Sequence, residues 1–186
     1  MSLLYSVKRQ RPTLSDVDRS GRAAEAIVEV IPAPLAWLEA LAEGDATFTA
    51  RFGAAVAPGW VGFPEALPHT VEAARLRPED PWGTHLLLDP RDGTLVGFGG
   101  FKGAPQDGEV ELGYAVAPSW QGRGIATAAV GILVERARDA GVRVVSAHTL
   151  AEEGPSPAVL RRAGFTVVAE LEDDSATVWR WERPLT

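Results

Sequence analysis

Glu109-Val110-Glu111-Leu112-Gly113-Tyr114-Ala115-Val116-Ala117 alternates in polarity, and Pro118-Ser119-Trp120-Gln121-Gly122-Arg123-Gly124-Ile125-Ala126-Thr127 follows it directly. The first part reads as a strand, with Val110, Leu112 and Tyr114 on one face and Glu109, Glu111 and Gly113 on the other. Pro118 ends it, because proline cannot donate to a ladder. Residues 124–140 then carry the strongest helical pattern in the chain. Val130, Leu133, Val134 and Ala137 form an apolar stripe, Glu135, Arg136, Arg138 and Asp139 face away, and Gly141 stands at the capping position. The strand-to-helix joint holds two glycines two residues apart. It lets the backbone turn tightly and leaves amide N–H groups free at the positive end of a helix dipole. Such a joint is a cradle for phosphate or pyrophosphate.

Working outward, Ile27, Val28, Val30 and Ile31 predict a short strand stopped by Pro32 and Pro34. Leu35, Leu38, Leu41 and Ala42 recur at helical spacing. Residues 48–68 read as irregular, with Phe48, Phe52, Trp60 and Phe63 among several prolines and glycines. Val71, Ala74 and Leu76 predict a second helix ending before Pro78. Residues 85–88 and 94–101 form a hairpin around Asp89-Pro90-Arg91-Asp92-Gly93, and residues 102–108 are a turn. Beyond the long helix come a strand over 142–150, a short helix over 156–163, and strands over 165–171 and 176–182. The order β-α-α-β-β-β-α-β-α-β-β is that of an α/β (α+β) domain with a mainly antiparallel sheet. The expected organisation is one domain over residues 25–186, preceded by a flexible arm over residues 1–24 that shows no periodicity.

The chain has 186 residues and a net charge of −7. The beginning runs the other way: Lys8, Arg9, Arg11, Arg19 and Arg22 stand against Asp16 and Asp18. An acidic body argues against nucleic acid as a partner, which needs a basic face. No apolar run approaches the roughly 20 residues of a membrane span, and the start lacks a secretory pattern. With no cysteine, disulfides, thiol nucleophiles and iron–sulfur clusters are excluded, and a reducing cytoplasmic setting is expected. His69, His85 and His148 are far apart and form no ligand pair, so no metal site is expected.

Three phosphate-binding patterns compete for the glycine loop. A P-loop fails for want of a Lys-Ser or Lys-Thr pair after the glycines. The dinucleotide fingerprint misses its third glycine at Thr127 and the acid expected near Ser146 to Leu150. The pattern Gln/Arg-x-x-Gly-x-Gly/Ala is met in full by Gln121-Gly122-Arg123-Gly124-Ile125-Ala126. Here the sequence resembles the GNAT superfamily of N-acetyltransferases, in the branch of the ribosomal-protein alanine acetyltransferases. Ala115-Val116-Ala117-Pro118 upstream and Ser156-x-x-x-Leu160-x-x-x-Gly164-Phe165 downstream extend the likeness, which runs from Leu86 to Trp181.

The resemblance implies a GNAT-like mixed sheet splayed between its fourth and fifth strands, with helices on both faces and acetyl-CoA as acyl donor. Pantetheine would add to the free strand edge at Val116 and Ala117, a form of β-augmentation. The pyrophosphate would lie on Gln121, Gly122, Arg123, Gly124, Ile125, Ala126 and Thr127. Glu153 and Ser156 fall on the cofactor side too, with Glu153 standing where the family pattern has Asn.

Acetyl transfer needs a neutral amine, and an alkyl amine at pH 7 loses its proton at a cost of about 4 to 5 kcal/mol. Glu111 is expected to accept that proton, with Glu109 in reserve, and the Val116 N–H to face the oxyanion. The family's acidic Tyr is replaced here by Leu160. The only tyrosines, Tyr5 and Tyr114, are not at that position, which leaves His148, Ser156 or water as the expected acid for the departing thiolate. Gly154-Pro155-Ser156-Pro157-Ala158 nearly matches a hydrolase nucleophile elbow, but no histidine follows it. Trp60, Phe63, Trp82 and His69 wall an acceptor pocket or make a second apolar cluster. Trp37, Trp179 and Trp181 read as core or dimer-contact residues. The expected function is acetyl-CoA-dependent N-acetyl transfer to a primary amine (a small molecule, an amino acid or a peptide N-terminus). With no cysteine to carry an acyl group, the attack is direct in a ternary complex, and the acidic body favours cationic acceptors. The alternatives are a non-catalytic acyl-CoA-binding or regulatory domain of the same fold, and a nucleotide-binding oxidoreductase. The expected partners are the amine and a second copy of the chain.

Overall fold

The structure is a computed structural model that describes residues 26–62, 64–78, 80–173 and 176–185. Residues 1–24, read above as an arm, lie outside the described residues, as does Phe63. Strand β1 is Glu29–Pro32, followed by helices α1 (Leu35–Glu43), α2 (Asp45–Phe52) and α3 (Leu67–Leu76). Strands β2 (Thr84–Leu88), β3 (Leu95–Phe101) and β4 (Glu109–Val116) then lead into helix α4 (Ile125–Asp139). Strand β5 (Val144–Leu150), helix α5 (Pro155–Arg162) and strands β6 (Thr166–Asp173) and β7 (Ala176–Pro184) complete the domain.

The strands form one sheet in the order β1-β2-β3-β4-β5-β7-β6. Every neighbouring pair is antiparallel except β4 and β5. One face packs on α4 and α5 through Val110, Leu112, Val130, Leu133, Val134, Ala137, Leu160 and Trp181. The other face packs on the first helices through Leu86, Leu95, Ala40, Leu41 and Phe48. The stripe read on residues 124–140 is the buried face of α4, and full burial of a residue such as Leu133 stabilises the fold by about 2 kcal/mol.

The irregular reading of residues 48–68 is corrected by α2, which occupies Asp45–Phe52. Its eight residues, two of them threonine, gave too weak a helical pattern to read. Phe48 and Phe52 lie one turn apart and clasp Trp37 of α1, with ring centroids 5.1 and 5.5 Å from it. Gly44 and Gly53 punctuate the helix at both ends, each with positive φ. Trp60 donates from Nε1 to Asp45 Oδ1 at 3.2 Å, which draws the following loop back onto α2.

The parallel pairing of β4 with β5 covers only Glu109, Glu111 and the residue between them, opposite Val144 to Ser146. Beyond Glu111 the two strands part, while β4 stays paired with β3 as far as Val116. That seating is close: a Cβ on Gly97 would lie 2.3 Å from the Ala115 carbonyl oxygen. Lys102 N donates to Glu111 O, and Ala117 N donates to Val96 O. By antiparallel alternation, the N–H and C=O of Tyr114 and Val116 therefore point away from β3, into the gap. Among the described residues no helix is long and apolar enough to cross a membrane.

Candidate active site

At the gap's outer end the chain passes from β4 through a short 3-10 turn, Pro118–Trp120, into the glycine loop. Gly122 and Gly124 have φ of +73° and +80°, values open to glycine and strained for other residues. Among the described residues, no amide from Gly122 to Thr127 donates to a carbonyl; the first helical bond runs from Ala128 N to Gly124 O. Six consecutive N–H groups thus lie free at the N-terminus of a 15-residue helix. Arg123 stacks its guanidinium 4.7 Å from the Trp120 ring and donates to Ser119 O at 2.9 Å, adding a fixed cation beside them. Gln121 folds back so that Nε2 donates to Val116 O at 3.0 Å. The Val116 carbonyl is capped in this way, and its N–H stays directed at the gap. Ala117 is fully buried behind it.

The gap is closed underneath by a contact that the sequence reading did not contain. Tyr114 reaches from β4 to the first turn of α5, where its hydroxyl meets Ser156 Oγ at 2.9 Å and Ser156 O at 3.2 Å. Burial pushes the Tyr114 phenol above its ordinary range. Alternation already put Tyr114 on the face of Val110 and Leu112, but nothing local revealed that α5 lies opposite it. Leu160, in place of the family's Tyr, is fully buried in the core. The Tyr114→Phe variant is expected to lose about 1 kcal/mol of stability in urea unfolding, the worth of an ordinary hydrogen bond. A loss above about 3 kcal/mol would show that the hydroxyl organises the gap as well.

At the gap's inner end stands a charged group on the face covered by α1 to α3. His148 Nδ1 lies 2.9 Å from Glu111 Oε1, and Lys102 forms an ion pair with the same oxygen. Glu111 is the last residue of β4 paired to β5, and His148 lies two residues past its register partner Ser146. The carboxyl and the imidazole are brought together where the strands separate. Burial pushes the Glu111 carboxyl up, but hydrogen bonds from Lys102 and His148 outweigh it and hold it below the usual carboxylate range. Next to this group, Arg180 of β7 bonds Glu109 at 2.6 Å and Glu182 at 3.0 Å, so Glu109 is engaged elsewhere. Lys102 was missed because a lone lysine in a turn carries no sequence signal. Its place opposite Glu111 follows only from the β3–β4 register.

Glu153 sits beside the loop to α5 and holds Arg161 through two 2.6 Å hydrogen bonds, which keep its carboxyl below the usual range. It does not join the Glu111 group. Of the four residues read as an acceptor wall, His69 and Trp82 line a cavity of about 350 Å³ that Lys102 also borders. Trp60 belongs to a separate, much smaller space under α3. Trp181 is core, and Trp179 packs against it at 6.0 Å.

The acetyltransferase (GNAT) domain model matches residues 36–166. A mycothiol acetyltransferase of Sanguibacter keddieii is 38% identical over 113 residues, which are 54% of this chain and 34% of that protein. This chain thus matches about a third of that relative's length. A putative acetyltransferase of Salmonella typhimurium, solved with acetyl-CoA, superposes with a TM-score of 0.62 at 19% identity, covering 86% of this chain and 95% of that one. A ribosomal-protein-alanine N-acetyltransferase of Brucella melitensis does so with a TM-score of 0.60 at 23% identity, covering 84% and 99%. These two likenesses establish the fold.

Proposed function

We propose, from the premise that this chain belongs to the acetyltransferase (GNAT) domain family, that it transfers an acetyl group from acetyl-CoA to a primary amine. The observation that carries this reading is the Glu111–His148 pair, set where β4 and β5 part and reached along a strand edge that begins at a cradle of free amides. The residues present fit acetyl-CoA. Gly122 to Thr127 offer N–H groups to a pyrophosphate, and Arg123 adds positive charge. Tyr114 and Val116 offer main-chain groups to the amides of a pantetheine arm. Ser156 and Tyr114 wall the gap on one side, and Glu153, neutralised by Arg161, stands at its margin. When bound, acetyl-CoA supplies the activated thioester.

The chain's own residues manage the proton. A carboxylate only accepts hydrogen bonds, so the contact at 2.9 Å places the hydrogen on His148 Nδ1 and the lone pair on Nε2. Nε2 then takes the proton of the incoming ammonium and passes it to solvent, with Glu111 steadying the imidazolium, and as the C–N bond forms and the thioester C–S bond breaks the second N–H proton goes to the departing thiolate. Attack is direct, in a ternary complex, because the chain has no cysteine to hold an acyl group. We place the protein in the cytoplasm, in keeping with its lack of cysteine, and expect a homodimer, with exposed Leu150, Val168 and Leu171 on β5 and β6 as apolar area for a second copy.

The test is initial-rate kinetics over an amine panel with products read by mass spectrometry. Acetylated amine and intersecting double-reciprocal lines are expected. Acetyl-CoA binding without turnover of any amine would instead favour a non-catalytic acyl-CoA-binding domain.

A further inference from the structure

The cavity of about 350 Å³ lies between α1 and α3 and the ends of β1, β2 and β3, on the sheet face that carries Glu111. Its body is apolar, with Leu38 of α1 and Ala66, Ala73 and Ala74 on the α3 side in the wall. Its charged groups are Arg77, Asp80 and Lys102. Asp80 is committed to the fold, since Oδ1 accepts the Trp82 N–H at 2.9 Å and so fixes the turn that presents the ring. Arg77 Nε lies 3.6 Å from Asp80 Oδ2, too far for a hydrogen bond, and its side chain is 65% exposed. Lys102 has three donors, of which Glu111 takes one. The cavity therefore presents an apolar body and two cations, each beside a carboxylate, with Lys102 standing between it and the Glu111–His148 pair and keeping two donors for a further oxygen.

We infer that this cavity is the acceptor site and that its ligand is a free α-amino acid with an apolar side chain, the carboxylate held by Lys102 with help from Arg77. The inference rests on the acetyl-transfer reading and names its substrate class. An α-amino group sits one carbon from its carboxylate. A carboxylate on Lys102 thus delivers the amine to Glu111 and His148, while the side chain fills the space beside Leu38, Ala73 and Ala74. A peptide N-terminus has an amide in place of that carboxylate, and a polyamine would set further cations against Lys102 and Arg77.

The experiment compares leucine, phenylalanine and tryptophan with isopentylamine, phenethylamine and tryptamine, the same amines without the carboxylate. Calorimetric binding and kcat/KM are both measured on the full chain. The expected result is a preference for the amino acid of at least about tenfold, in line with a charge-assisted hydrogen bond. Lys102→Met should bring that ratio close to one, and Arg77→Gln should reduce it severalfold. Because Lys102 also touches Glu111, its loss scales both members of each pair, and the ratio isolates the carboxylate contact. A wild-type ratio near one, or a ratio unchanged by Lys102→Met, would overturn the inference. If no amine is acetylated, binding still decides: amino-acid binding abolished by Lys102→Met keeps the site and sinks the transfer reading, whereas no binding sinks the site.

Discussion

Replacing His148 with glutamine is expected to lower kcat for amine acetylation by about 10²–10⁴, with the affinity for acetyl-CoA unchanged. Glutamine has no lone-pair nitrogen to receive the amine proton, yet it is polar and still able to bond Glu111. The effect separates the two members of the pair. Glu111 is held ionised by Lys102 and His148, with its carboxyl below the usual range, so alone it is a weak base for an ammonium. On the proposed mechanism its contribution is to fix the ring tautomer and to stabilise the imidazolium. Glu111→Gln is therefore expected to cost less than His148→Gln. Glu111 also links pH to stability. Its carboxyl is depressed in the folded state, so its contribution is present above the unfolded value and is lost as pH falls through the folded one. A drop in kcat of less than tenfold for His148→Gln would place the proton elsewhere.

The second large effect is expected at Gly124, where valine should weaken acetyl-CoA binding by about 100-fold. Gly124 caps α4 with φ of +80°, and a β-branched residue in that region is strained by roughly 1–3 kcal/mol. Space is not the obstacle, since an added Cβ would meet nothing within 4 Å. The strain is relieved only by turning the loop, and turning it withdraws the free amides from a shared target. Thermal unfolding should show a loss of a few degrees, and calorimetry a far larger loss of affinity for acetyl-CoA. Gly124→Val with full affinity would mean that the cradle is not where the pyrophosphate lies.

Much of this was legible in the chain because the decisive features are local. Residues 109–127 combine a strand period, a proline stop, two glycines and a helix start, and each is set by neighbours in sequence. The splay of the sheet came from resemblance, and the register that ends at Glu111 and Ser146 bears it out. What stayed hidden depends on distant pairing. Lys102 reaches Glu111 across a hairpin, Tyr114 meets Ser156 across the gap, and the Glu111–His148 contact joins two strands that run parallel. Helix α2 escaped notice for a different reason. It is short, and its place is set by the Trp37–Phe48–Phe52 cluster rather than by propensity.

The most direct measurement is thermal unfolding of the full chain with acetyl-CoA, beside NADH and ATP. At about 100 times the dissociation constant, ligand adds roughly 2.7 kcal/mol to native-state stability. For a chain of this size Tm should rise by roughly 5 °C or more with acetyl-CoA and stay unchanged with the two nucleotides. A folded sample free of bound CoA whose Tm does not respond to acetyl-CoA would contradict the assignment of the loop and the strand edge to the acyl donor.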